Sequence, residues 1–349
     1  MSDTRAFLYK VYKNWFFRRS VRTLAIIYVA ITLTFFIIRL MPGNPIEVFI
    51  ANMMAATGMS YEDAKQLALA MFSINLDEPL WKQYLDYLYN LVQGNFGRSI
   101  AISPGTPVMQ IIMEFLPWTL FSVSISLLVS FVLGVVFGII AAYRRGGWFD
   151  RIMSAFAATV SAIPNYLIGI LIIVFLGVQW KLWPIEYMRG AYSASVKPGF
   201  TLEFITDVFK HLLAPFITYV FSTFGGWMLS MKANTISTLG EDYVTVAKAK
   251  GLPESRITIY YVGKNAILPL FTSLAISLGF IFGGSVLIES IFVYRGVGSL
   301  LWASITSRDY TVMQGVFLII TISVVLANLF ADMLYGLIDP RVKTLGGGE

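Results

Sequence analysis

Six apolar runs, with charge returning between them, set the plan of this 349-residue chain. They predict membrane spans at residues 23–40, 118–142, 153–178, 212–231, 267–288 and 312–337, each close to the ~20 residues a helix needs to cross a ~30 Å hydrocarbon core. Between the first two lies a polar excursion over 42–115, entered through Pro42 and Pro45, which stop the preceding helix. Inside it, Ser60-Tyr61-Glu62-Asp63 has the order of a capping box, and Ala64, Leu67, Ala68 and Met71 share one helical face. Trp81, Tyr84, Leu85 and Leu88 share a second. Both predict short amphipathic helices packed on the outer membrane surface. Further outer loops are predicted at 179–210 and 289–310, the first carrying Trp180, Trp183 and Tyr187 as an aromatic belt. The fold class that follows is an all-α integral membrane protein. Its parts are 1–41 (N-terminal segment and span 1), 42–115 (outer subdomain), 116–340 (five-span core) and 341–349 (tail).

Composition supports the membrane reading. Hydrophobic residues make up 57% and charged residues only 13%, far less charge than a soluble surface of this length carries. The net charge of +6 sits beside the spans, which points to membrane topology and not to nucleic acid. Arg5, Lys10, Lys13, Arg18, Arg19 and Arg22 precede span 1, while Arg144, Arg145 and Arg151 follow span 2. Lys232, Lys248, Lys250, Arg256 and Lys264 lie between spans 4 and 5, and Arg341 and Lys343 in the tail. The positive-inside rule then places both termini and the 232–266 loop in the cytoplasm. The first run is expected to be retained as a span, since no small-residue cleavage site follows it. With no cysteine and one histidine, His211, the chain offers no disulfide, thiolate chemistry or histidine-rich metal site. It has no phosphate-binding loop, because Gly263-Lys264-Asn265 lacks the upstream glycine and the hydroxyl. It is therefore expected not to hydrolyse ATP.

Candidate functional residues fall in three groups. Within 232–266, acids Glu241 and Asp242 begin a segment whose lysines, Lys248 and Lys250, come at its end, followed by Gly251 and Pro253. That order suits the helix macrodipole and a glycine stop, so a short helix standing off the membrane is predicted here. Ala247 and Ala249 would give a partner protein little steric bulk to meet. Gly134 and Gly138, Gly225 and Gly226, and Gly279, Gly283 and Gly284 lie in spans, where small residues allow close packing. Gly225, Gly226, Gly283 and Gly284 are alternatively points where spans 4 and 5 flex. Asp332, with Asn328 one turn before it, is the carboxylate clearly inside a span. Pairing with the basic cytoplasmic rim is expected for it, since a proton relay needs a chain of such groups. Ser122, Ser124, Ser126, Ser130, Ser161 and Asn165 either line a wet path or bond their own backbone. Glu289 is expected to be a solvated or hydrogen-bonded residue at the end of span 5.

The pieces Tyr243-Val244, Ala247-Lys248-Ala249-Lys250-Gly251-Leu252 and Asn265-Ala266-Ile267-Leu268-Pro269 resemble the cytoplasmic coupling loop of ABC-importer permeases, in the form of the dipeptide/oligopeptide/nickel branch. Where the general importer motif opens Glu-Ala-Ala, this chain reads Thr245-Val246-Ala247, a departure similar to that of the branch. Leu40-Met41-Pro42-Gly43-Asn44-Pro45, Gly94-Asn95-Phe96-Gly97-Arg98-Ser99, Arg308-Asp309-Tyr310 with Gln314-Gly315, and Asp339-Pro340-Arg341 resemble further signatures of it, in order along the chain. The resemblance implies a coupling helix between spans 4 and 5, with Glu241, Asp242, Tyr243, Ala247, Lys248, Ala249, Lys250 and Gly251 meeting an ATPase. It implies a second homologous permease chain, one or two ATPase subunits that bind ATP and Mg²⁺, and an external solute-binding protein, in a prokaryotic plasma membrane. No cofactor is expected in this chain. Oligopeptide is the expected substrate and oligosaccharide the alternative. A secondary carrier or a channel is the alternative of a different class.

Overall fold

Long apolar runs become long helices, and the turn residues between them decide where each one ends. The computed structural model describes residues 15–40, 45–72, 78–281 and 286–338. Among these, secondary structure is helical apart from one isolated bridge between Arg98 and Pro107. Helix α1 spans Trp15–Leu40. The outer subdomain supplies α2 (Pro45–Thr57), α3 (Tyr61–Phe72) and α4 (Leu80–Val92). Then follow α5 (Val108–Tyr143), α6 (Trp148–Ala162) and α7 (Asn165–Gln179), which widens into π-helical turns from Ile173. Helix α8 (Leu202–Leu239) leads to α9 (Asp242–Ala249) and α10 (Glu254–Ala266), π-helical over Ile257–Gly263. The chain goes on to α11 (Leu268–Phe280), α12 (Val286–Ile291), α13 (Val297–Thr306) and α14 (Tyr310–Ile338).

Among the described residues, four stretches are long and apolar enough to cross a bilayer: Arg18–Ile37, α5, α8 and Tyr310–Leu329. Two bent pairs bring the number to six if each counts as one span. The predicted third span, 153–178, is one of these pairs. Helices α6 and α7 meet at 100°, because Ile163 and Pro164 adopt extended backbone (ψ 125° and 135°). The predicted fifth span begins as expected, with Pro269 in the first turn of α11, but α10 meets it at 47°. The fourth is longer than 212–231 and takes in both Lys232 and the end of the predicted outer loop. The third outer loop is largely the apolar helix α13.

The centre of the molecule is the α5–α8 pair. The two helices run parallel, Gly134 facing Trp227 and Gly138 facing Met228 and Met231. A Cβ at Gly138 would lie 2.7 Å from the Met228 carbonyl oxygen, and one at Gly134 would strike the Trp227 Cβ. Bare glycine backbone is what lets the helices approach this closely. Helix α6 packs antiparallel along α8, with Ala157 and Ser161 against Gly225. Gly279 of α11 meets Ala327 of α14 in the same manner.

In the outer subdomain Ser60 caps α3: the Asp63 N–H donates to Ser60 Oγ (3.2 Å), and that hydroxyl, in place of the Ser60 backbone N–H of a full capping box, donates to Asp63 Oδ2 (2.6 Å). Ala64 and Ala68 are buried with Ile50 and Ile100, whereas Leu67 is exposed. Tyr84 of α4 stacks on Phe36 of α1 and shares a 2.6 Å hydrogen bond with Thr32. Trp81 and Leu85 face away, exposed, so the second predicted face is only half used.

Candidate functional site

The segment between α8 and α11 is built around a small apolar underside. Val244 and Ala247 of α9 are buried with Ile257 and Val262 of α10. Gly251 ends the helix with φ +71° and no atom within 4 Å of where a Cβ would sit, the left-handed stop that the sequence predicts. Pro253 then starts α10. The Asn265 side-chain amide donates to Tyr243 Oη (3.1 Å) and to the Tyr261 carbonyl (2.7 Å), so the two halves of the loop signature touch. Glu241, Asp242, Tyr243, Lys248, Ala249 and Lys250 are exposed, as are Thr245 and Val246, which the sequence did not single out. Ala247 requires a correction. It faces this chain's own apolar cluster and is 2% exposed, so its small size serves the packing beneath α9 and offers nothing to a partner.

A second element lies along α8. An open cavity of about 780 Å³ is lined by α5, the α6–α7 bend, α8 and α11. Its polar groups are Ser161, Asn165, Ser222, Thr223, Ser230, Asn234, Ser273 and Ser277, and no lining residue is charged. Several hydroxyl protons are already used within the helices: Ser222 and Thr223 bond the Tyr219 carbonyl, and Ser277 bonds the Ser273 carbonyl. Hydroxyl oxygens and the Asn165 amide are left to face the space. The two readings of the serines thus divide by position. Ser161 and Asn165 line the cavity because the bend at Pro164 turns them toward it. Ser122, Ser126 and Ser130 are buried on α5 and donate to carbonyls of their own helix. Ser124 is half-buried and does not line the cavity.

Gly225 and Gly226 also divide. Gly225 is pressed against Ala157 and Ser161, and Gly226 borders the cavity with no neighbour within 4 Å of a Cβ. Gly283 and Gly284 lie outside the described residues, as does the 341–349 tail. Asn328 is exposed on α14; Asp332 lies on the same helix, with its side chain outside the described part.

Two buried carboxylates lie at the other end, around the N-termini of α5 and α14: Asp309, which the sequence offered only within a motif, and Glu289, for which the hydrogen-bonded of the two expected states is found. Asp309 is fully buried. Its Oδ2 accepts from Ser99 Oγ and from the N–H groups of Ile100 (3.1 Å), Ala101 (2.9 Å) and Ile102 (3.0 Å), and its Oδ1 accepts from the Val312 N–H at the start of α14 (3.2 Å). The motifs at 94–99 and 308–310, read separately in the sequence, are therefore one clamp. Glu289 is not solvated: it is fully buried on α12. It accepts from Thr119 Oγ1 and from the Ser299 N–H in the first turn of α13, both at 3.0 Å. Thr119 Oγ1 accepts in turn from the Val297 N–H (2.7 Å). Trp183 and Tyr187 of the predicted aromatic belt are half-buried within the chain, and only Trp180 projects freely.

Residues 134–344 match the family described as binding-protein-dependent transport system inner membrane component. The chain is 32% identical over 326 residues to a probable peptide ABC transporter permease of Sinorhizobium fredii, covering 93% of this chain and 98% of that one. It is 32% identical over 322 residues to the di/tripeptide transport system permease of Pseudomonas aeruginosa, covering 89% and 93%. It is 31% identical over 329 residues to the oligopeptide transport system permease of Bacillus subtilis, covering 93% and 98%.

Proposed function

The chain belongs to the family of binding-protein-dependent transport system inner membrane components, and from that premise we propose how this permease subunit does its part. It is a multi-pass protein of a prokaryotic inner membrane, and ATP hydrolysis lies in separate subunits of the importer. We propose that the uncharged cavity along α8 is this chain's half of a path for short peptides. A second permease chain closes its open side, and a solute-binding protein delivers substrate to the outer subdomain. The observation that carries this reading is the continuity of two elements. Helices α8 and α11 wall the cavity, and their ends meet in the exposed α9 loop. Hydroxyls and amides without charge suit a peptide backbone, whose groups accept and donate along their length. The peptide substrates in the names of the three relatives support the same class.

On this reading both termini and the 232–266 loop are cytoplasmic, in keeping with the basic residues gathered there. The outer face of α9, with Tyr243, Val246 and Lys250 exposed, seats in an ATPase subunit that holds ATP and Mg²⁺. Reconstitution in liposomes tests the scheme. Uptake of a labelled tripeptide is expected only when this chain, a second permease, the ATPases and a binding protein are present together. Accumulation by the lone chain under an imposed proton or sodium gradient would overturn it.

A further inference from the structure

Helix α6 is cut from α7 by the bend at Pro164, and it lies against α8 through contacts of two kinds. Along its middle the contacts carry no hydrogen bond or ion pair between the helices: Gly225 against the Ala157 carbonyl and Ser161, and Phe156 against Phe221 and Phe224 (ring centroids 6.0 and 6.2 Å apart). Such surfaces can slide without losing a directed bond. At the α9 end the contact is ionic. Lys232 of α8 pairs with Asp150 of α6 and donates to Ser154 Oγ (2.8 Å). Asp150 also accepts from Ser154 Oγ (3.0 Å) and from the Gly146 N–H (2.9 Å), which fixes the loop before α6. The Asp150 side chain is 9% exposed and that of Lys232 20%, so water competes weakly for this pair.

We infer that Asp150 and Lys232 are positioning residues for transport, an ionic pin that makes α6 follow α8. Lys232 sits two helical turns before the end of α8, beyond which α9 begins at Asp242. The far end of α6 carries Ser161 into the cavity wall beside Asn165. A displacement of α9 reaches α8 directly through the chain, but it carries the Ser161–Asn165 wall along only as far as α6 follows α8 beyond the contact of Ser161 with Gly225. The pin supplies that link, and sliding contacts alone do not. The inference rests on the importer reading above.

The test uses the complete importer in liposomes, with labelled trialanine uptake and ATP hydrolysis read on the same vesicles. Asp150→Asn and Lys232→Met are each expected to lower peptide carried per ATP by about tenfold, with hydrolysis held within about twofold. Asp150→Glu, which keeps the charge and the acceptor oxygens, is expected to retain the ratio within about twofold. Where a single variant fails to assemble because one charge is left buried and unpaired, the double neutral variant Asp150→Asn/Lys232→Met decides. A normal peptide-to-ATP ratio in that variant overturns the pin while leaving the importer reading intact. Absence of ATP-driven uptake by the unmodified complex removes the importer reading, and the pin with it.

Discussion

Two regions of this molecule, the clamps around Asp309 and Glu289 and the α9 helix, treat their charges in opposite ways. Around the N-termini of α5 and α14, the carboxylates of Asp309 and Glu289 point inward, each wrapped by backbone N–H groups and a hydroxyl. On α9, Glu241, Asp242, Lys248 and Lys250 point outward, and an apolar underside and the Asn265–Tyr243 hydrogen bond anchor the helix. A buried carboxylate with every donor in place holds segments of distant sequence in one arrangement. Ser99 and Asp309 are 210 positions apart. An exposed charged face fixes nothing within its own chain and stays available to another. One region is therefore closed on itself, and the other leaves its charged face to solvent.

Removing the Asp309 carboxylate should break the contrast most severely. Asp309→Ala strands the Ser99 hydroxyl and the N–H groups of Ile100, Ala101 and Ile102, at a cost above about 3 kcal/mol. Thermal unfolding in detergent is expected to show a large loss of folded protein; an unchanged transition would mean that the clamp holds nothing. Gly296→Ala comes next, since its Cβ would strike the Glu289 carboxyl group, an overpacking worth about 1–3 kcal/mol. The α9 end gives a paired outcome. Ala247→Arg should destabilise the loop by about 1–3 kcal/mol because it overfills the underside. Val246→Glu, on the exposed face, should change stability by less than about 0.5 kcal/mol and yet lower ATP-driven uptake by about tenfold, the equivalent of ~1.4 kcal/mol of docking energy. Equal effects of the two variants on stability would erase the distinction between underside and outer face. Gly251→Ala completes the series: the space is open and only the left-handed backbone resists, at about 1–2 kcal/mol, a cost confined to the end of α9. Hydrogen exchange across 242–252 would register it as a modest rise in local opening.

Much of this was legible along the chain. Apolar run length predicted where the helices lie, and local signals sufficed for the Ser60 cap, the α9 helix and the stop at Gly251. Proline was harder to read. Pro117 and Pro215 sit inside continuous helices α5 and α8, whereas Pro164 separates two. The residue type is the same in all three. What differs is whether the preceding residue leaves the helical region, and packing against neighbours decides that, not the local sequence. Ala247 misled for a related reason. Its small size fitted a partner's cleft and a tight underside equally, and helical phase relative to α10 was needed to choose. Glu289 and Asp309 were hardest, because their donors come from segments that sequence spacing does not bring near them.

The break in the third apolar stretch bears on how the protein is made. Helix α6 has 15 residues and so rises about 22 Å, short of the ~30 Å core; α7, over Asn165–Gln179, is no longer. Neither arm can be released into lipid by the insertion machinery as a finished crossing of its own. Completion of this crossing is expected to need α8, which offers Gly225 and Lys232 to receive α6. Biogenesis of this stretch is thus committed to a pair of helices at once, and damage to α8 should leave α6 stranded during synthesis, before any question of transport arises.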